Sequence, residues 1–322
     1  MNPTGLQMSF SFVPLGLGFI RLVAALPPTL GVALGRLIGT FLFYTARERR
    51  LVCERNIAVC FPEFSQTDQY NLVKACFEQN GIGLTETAWS WHRPINFVYD
   101  KIRVSGQELL EQANIEGRGV LLLCPHYSML DLVAPLMHAV AGRFVVSYRP
   151  NDNPIFDQAV CRGRGRYAKL VDVRALRDIA KHLKQGDMVW FGPDQDMGPK
   201  GSVFAPFFGR PACTVTTPAR LARISGAVSI FLDLHRDDNG LYQVSFVPMP
   251  DDYPDEDEVE NARLLNRRIE DALKKNIYHN TCGCINDLKR IRILRGRHCI
   301  NFNHPLHHIR CTYTRHLSCR AF

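Results

Sequence analysis

Residues 120–124 read Val-Leu-Leu-Leu-Cys, between a Gly-Arg-Gly turn and Pro125. Five apolar residues are too few for a helix buried all round, and they show no alternation of apolar and polar positions. Such a run builds a strand covered on both faces. A strand of that kind needs helices above and below its sheet, and the following sequence supplies them. Residues 128–140 read as a helix, 144–148 as a strand, 172–185 as a helix ending at Gly186, and 188–191 as a strand. Residues 217–225 then read as a helix, 228–234 and 242–247 as strands, and 257–275 as a final amphipathic helix. Alternation of this kind predicts an α/β fold with a mixed, mainly parallel central sheet flanked by helices. Sites in such sheets lie at the carboxyl ends of the strands.

Two apolar runs precede this domain, within residues 9–46, split by Pro27-Pro28. A helix that crosses a bilayer needs about 20 apolar residues. Each run is marginal in length and carries one arginine, Arg21 or Arg36. Arg47, Arg49 and Arg50 follow at once, which favours the cytoplasmic side for what comes next. Residues 1–46 are therefore expected to be a membrane anchor, a helix or helical hairpin that spans the bilayer or lies in its surface. A buried hairpin of a soluble domain fits the same pattern. Further on, Ser65 with Asp68 caps a helix running to about Asn80, and another helix carries Trp89 and Trp91.

The formal net charge of +8 belongs almost wholly to residues 276–322, which hold eight Lys/Arg and one Asp. Residues 1–275 hold 31 basic and 30 acidic side chains, so charge gives no reason to expect nucleic acid as a partner. The six cysteines of residues 1–275 are widely spaced, with no disulfide or metal pattern. Cys124, inside an apolar run, reads as packing. No P-loop or dinucleotide fingerprint is present, so no cofactor is expected.

The chemistry starts at His126, which follows the buried strand after Pro125. Asp131 comes five residues later, close enough to reach back to one ring nitrogen and leave the other to accept a proton. That is the orienter and base of the hydrolase triads, with a substrate hydroxyl in place of the serine. The same residues also fit a histidine at a helix start and an aspartate satisfying its first amides. Arg149, Arg162, Arg164 and Arg166 form a basic run suited to phosphates or to a developing oxyanion, or else a solvated loop. Asp194 and Asp196, in GPDQDMGPKG past another strand, are candidates to orient Arg162 or Arg164 or to hold sugar hydroxyls. Two acids without a third ligand match no usual metal site. Residues 203–209, VFAPFFG, read as an aromatic loop that lines an acyl channel, touches a membrane or packs in the core.

These stretches carry a resemblance. HYSMLD after an apolar strand resembles the His-(four residues)-acid motif of the glycerolipid-type acyltransferases. ERNIAVCFPE (54–63), LLLCPHYSMLDL (121–132), YRPNDNPIFDQAVCRGRGR (148–166), residues 175–209 and TPARLARISGA (217–227) together resemble the lauroyl/myristoyl transferase family of lipid A biosynthesis. The resemblance covers about residues 10–275. It implies an acyl-carrier protein as donor, a Kdo-bearing lipid A precursor as acceptor, and contact with membrane lipids. It also implies work at the cytoplasmic face of a bacterial inner membrane, with His126 and Asp131 as catalytic pair and Arg162 or Arg164 facing the oxyanion. Members of that family often carry Glu where this chain has Asp131. A glycerophospholipid or glycolipid acceptor would use the same catalytic residues, and a non-catalytic lipid-binding protein could keep the fold.

The division expected is an anchor at 1–46, an acyltransferase domain at 47–275, and an aberrant tail at 276–322. The tail holds six of the 11 His and five of the 11 Cys without a hydrophobic period. Read one frame over, residues 276–291 become YLPQYVWVHQRFKTHP within codon degeneracy, which resembles the usual family ending. A frame shift near Lys275 and a disordered tail are therefore expected.

Overall fold

The computed structural model describes residues 4–94, 96–195, 201–278, 293–295 and 298–300. It opens with α1 (Thr4–Ala24), α2 (Pro28–Thr45), α3 (Arg47–Cys60) and α4 (Gln66–His92). Then come β1 (Ile102–Ser105), α5 (Glu108–Ile115), β2 (Val120–Leu123), α6 (Val133–Ala141), β3 (Phe144–Tyr148), α7 (Pro154–Arg164), β4 (Ala168–Asp172), α8 (Leu176–Lys184) and β5 (Met188–Phe191). The order closes with β6 (Ser202–Phe207), β7 (Arg210–Val215), α9 (Thr217–Ser225), β8 (Val228–Arg236), β9 (Tyr242–Pro248) and α10 (Glu258–Lys275). In the tail, β10 (Ile293–Arg295) and β11 (His298–Ile300) pair antiparallel with each other.

The central sheet has seven strands in the order β1-β9-β8-β2-β5-β3-β4. Only the β8–β9 contact is antiparallel, so the expected mixed, mainly parallel sheet is present. β2 lies near its centre with all four residues buried, as the apolar run requires. Parallel strands joined by right-handed crossovers put helices on the face set by the direction of each step. The steps from β2 to β3 and β3 to β4 run one way; those from β4 to β5 and β5 to β8 run back. Accordingly α7 touches α1 and α4, while α8 touches α9.

Several boundaries differ from expectation for local reasons. The helix expected from residue 128 starts as a single 3-10 turn at Leu130–Leu132, and α6 follows. Residue 172 is the last of β4, not the start of a helix. α4 is one helix of 27 residues, and its Gly81 and Gly83 sit inside it where other backbone comes too close for a side chain. A Cβ on Gly81 would stand 2.1 Å from the Gly35 carbonyl oxygen, and one on Gly83 2.0 Å from that of Ser128. VFAPFFG is a strand and its turn: β6 pairs antiparallel with β7, and Phe208 takes a positive φ of 47°. α3, α5, α7, β1, β4 and β7 had no expected counterpart.

α4 ties the N-terminal helices to the sheet. On one side it meets the glycine stripe of α2, where a Cβ on Gly39 would be 2.2 Å from the Phe77 carbonyl oxygen. On the other it buries Glu86, whose Oε1 accepts from Tyr242 Oη at 3.1 Å and lies 3.3 Å from Arg236 Nε. Burial pushes the Glu86 carboxyl above its ordinary range, and the Arg236 charge and the Tyr242 hydroxyl pull it back. No single helix among the described residues is long and apolar enough to cross a membrane.

Candidate active site

The register of β2 and β5 builds the site. These parallel neighbours pair Leu123 with Phe191. Each chain leaves the sheet there, and three residues on stand His126 and Asp194, so equal offsets bring them side by side. The Cys124 amide still donates to the Phe191 carbonyl at 3.1 Å, holding the two exits together. Asp194 Oδ1 lies 2.6 Å from His126 Nδ1, and its Oδ2 accepts from the His126 backbone amide at 2.9 Å. An ionised carboxylate only accepts, so Nδ1 carries the hydrogen and the lone pair of the neutral ring is on Nε2.

This corrects the expected pairing: the carboxylate on His126 Nδ1 is Asp194, not Asp131. The 3-10 turn aims Asp131 at α4 and α7 instead. Its carboxylate accepts from Arg164 Nε at 2.7 Å, and from Thr87 Oγ1 and Trp91 Nε1 at 3.3 Å each. Its carbonyl accepts from Ser90 Oγ at 2.7 Å. The described contacts of Asp194 are with His126, where an arginine or a sugar hydroxyl was expected.

His126 and the Asp131–Arg164 pair border one cavity of about 620 Å³. Its polar part includes His126, Asp131, Arg149, Arg164 and Arg174; its apolar part includes Val133, Ala134, Val146, Leu176, Trp190 and Val215. Arg149 follows β3 and Arg174 follows β4, so both stand at carboxyl ends of strands. Arg174 is gripped by Asp172, with Nη2 to Oδ2 at 2.6 Å.

The other expected residues fall elsewhere. Arg162 is exposed on α7 and does not border the cavity. Arg166 donates to the carbonyls of Ser90 and Arg93, at 3.0 and 2.5 Å, and so caps the end of α4. Asp196 lies outside the described residues. Sequence reading missed Arg174, Thr87, Trp91 and Gly192. The last is a close-approach glycine: a Cβ there would be 2.3 Å from His126 Cε1 and 3.0 Å from Nε2. Gly192→Ala is therefore expected to push the ring off Asp194 and slow turnover by roughly 10²-fold. Initial rates beside a thermal melt check this; an unchanged rate with an unchanged melting temperature would remove Gly192 from the site.

A histidine held by a carboxylate at the carboxyl end of a mainly parallel sheet, beside a cavity lined by apolar side chains and arginines, supplies a base and its orienter in an α/β fold. The sequence comparisons carry this further: residues 5–279 match the bacterial lipid A biosynthesis acyltransferase family, and the chain belongs to it. It is 34% identical to the lipid A biosynthesis lauroyltransferase of Escherichia coli K12 over 262 residues, covering 80% of this chain and 85% of that protein. The palmitoleoyltransferase of the same organism is 32% identical over 81% of this chain and 85% of its own length. A lipid A biosynthesis acyltransferase of Haemophilus influenzae is 30% identical over 82% and 86%.

Proposed function

We propose that this enzyme moves a fatty acyl chain from acyl-carrier protein to a hydroxyl of a Kdo-bearing lipid A precursor, at the cytoplasmic face of the inner membrane. The observation that carries the mechanism is the 2.6 Å contact of Asp194 with His126 Nδ1 at the edge of the cavity. His126 Nε2 takes the proton of the acceptor hydroxyl as its oxygen attacks the thioester carbonyl carbon. Asp194 keeps the tautomer and stabilises the imidazolium. Arg164, moored through its Nε by Asp131, stabilises the tetrahedral oxyanion. The C–S bond then breaks, and the carrier thiolate leaves with the proton from Nε2. The acyl chain occupies the apolar part of the cavity. Arg149 and Arg174 at its mouth meet the anionic groups of the substrates. No step needs a metal or cofactor.

The supporting experiment is an acyl-transfer assay on the full chain in detergent micelles. It offers acyl-carrier-protein and coenzyme A thioesters of several chain lengths, and acceptors with and without Kdo. Transfer from the carrier donor to the Kdo-bearing acceptor is the expected result. Transfer only to a glycerophospholipid acceptor would replace the acceptor proposed here. Transfer from coenzyme A alone would replace the donor.

A further inference from the structure

The sheet separates two helical layers: α1, α2, α4 and α7 pack together on one face, and α8 packs on α9 on the other. The outer side of the second layer is cationic. Arg177, Lys181 and Lys184 are exposed on α8, and Arg220 and Arg223 on α9. The spacing of four and three residues sets the α8 cations within about 60° of the helix circumference. Asp178 is the only acid in α8, and α9 has none. Residues 1–275 are close to neutral, so this excess is local. No carboxylate answers it. Among the described residues, Arg177, Lys181, Lys184 and Arg220 make no ion pair, while Asp172 is taken by Arg174 and Asp187 by His182. Arg223 donates to the Asp255 backbone carbonyl. Helix electrostatics do not account for the strip. A cation in the last turn of a helix is stabilising, which suits Lys184, but Arg177 stands in the first turn of α8, where a cation is opposed. Lys181 is four residues from Arg177 and three from Lys184, and like charges so placed repel. Apolar side chains lie among the cations: Ile224 on α9 is 57% exposed and Leu176 on α8 38%. Leu176 and Arg174 also border the cavity. The strip therefore begins at the cavity and runs about 12 Å down α8.

We infer that this outer face of α8 and α9 is a docking surface for an acidic protein, the carrier that presents the acyl thioester. The inference rests on the donor proposed above. Unpaired cations around exposed apolar side chains complement a partner surface rich in carboxylates, where opposite charge steers the encounter and fixes its register. The face lies across the sheet from the helices expected to meet lipid, so the carrier and a bilayer do not compete for it. A carrier seated along α8 has its thioester arm beside Leu176 and Arg174, and the arm alone enters the cavity.

Arg177→Glu with Lys181→Glu tests this in the full chain, in micelles of a neutral detergent. Neither residue borders the cavity. At low salt the variant is expected to show a KM for acyl-carrier-protein donor raised roughly tenfold or more, with kcat kept. Binding of a fluorescently labelled carrier, read by anisotropy, should weaken in step. Added salt should raise the wild-type KM toward that of the variant. Acyl-pantetheine carries the thioester without the protein, and the two enzymes should use it equally. Lys101→Glu with Arg103→Glu makes the same change of net charge at β1, the far edge of the sheet, and should leave the carrier KM within about threefold. A reversed variant that keeps the wild-type KM and carrier affinity overturns the docking surface. So does an equal loss with acyl-pantetheine, or an equal effect of the β1 variant. Loss of binding to phosphatidylglycerol vesicles with the carrier KM kept would make the face a lipid surface instead. The two ideas fail separately. A wild-type enzyme that uses coenzyme A thioesters but not the carrier sinks the proposed donor; one that uses the carrier while the reversed variant matches it sinks the docking surface alone.

Discussion

Replacing His126 with alanine is expected to lower acyl transfer by roughly 10²–10⁴-fold, the usual contribution of a positioned base. The fold should survive, because the ring sits at the cavity edge, partly exposed, rather than in the core. The loss should fall on the chemical step, so that kcat drops while the KM for the acceptor changes little. Rates of the purified variant and wild type, with circular dichroism as a folding control, decide it. An alanine variant within about threefold of wild type, well short of the contribution of a base, would mean that another group removes the proton.

The second large effect is predicted for Asp194→Asn. The amide is nearly the size of the carboxylate but can donate to Nδ1, which drives the ring hydrogen onto Nε2 and removes the lone pair that takes the substrate proton. In triads of this kind such a tautomer error costs about 10⁴-fold in kcat. Asp194→Glu, which keeps the charge, should recover part of the rate. Asp131→Asn should cost less. Its oxygen can still accept from Arg164, Thr87 and Trp91, so the loss should stay below the roughly 10²–10³-fold of deleting an oxyanion donor. The order of the two asparagine variants is the informative readout. If Asp131→Asn were the more damaging, Asp131 and not Asp194 would be the orienter.

Much of the framework was legible in the sequence. Residues 120–124 could only be a doubly covered strand, and that strand placed His126 at a carboxyl end. The N-terminal pair was legible as two apolar helices; the glycines at every fourth position of α2, Gly31, Gly35 and Gly39, were the unread sign of its close packing. The partner of His126 was harder. Asp131 is near in sequence, but nearness along the chain does not set a side chain's direction when a 3-10 turn intervenes. The register of β2 against β5 is a long-range fact, although the equal three-residue offset of His126 and Asp194 from two strand ends was available to view. The arginines divide for a similar reason. Positions 162, 164 and 166 step round the end of α7, so they face different ways, and only Arg164 meets both Asp131 and the cavity. Asn153 before Pro154 was the overlooked start signal of that helix.

The paired residues at the heart of the site are 68 positions apart. During synthesis the segment with His126 leaves the ribosome well before β5 and Asp194 exist to meet it. A nascent chain that has folded only through α8 thus carries the histidine without the carboxylate that fixes its proton. The competent arrangement exists only with β5 in its place between β2 and β3. The pair that carries the proposed mechanism is thereby tied to completion of the centre of the sheet, and recovery of acyl transfer on refolding is expected to follow the pairing of β5 with β2.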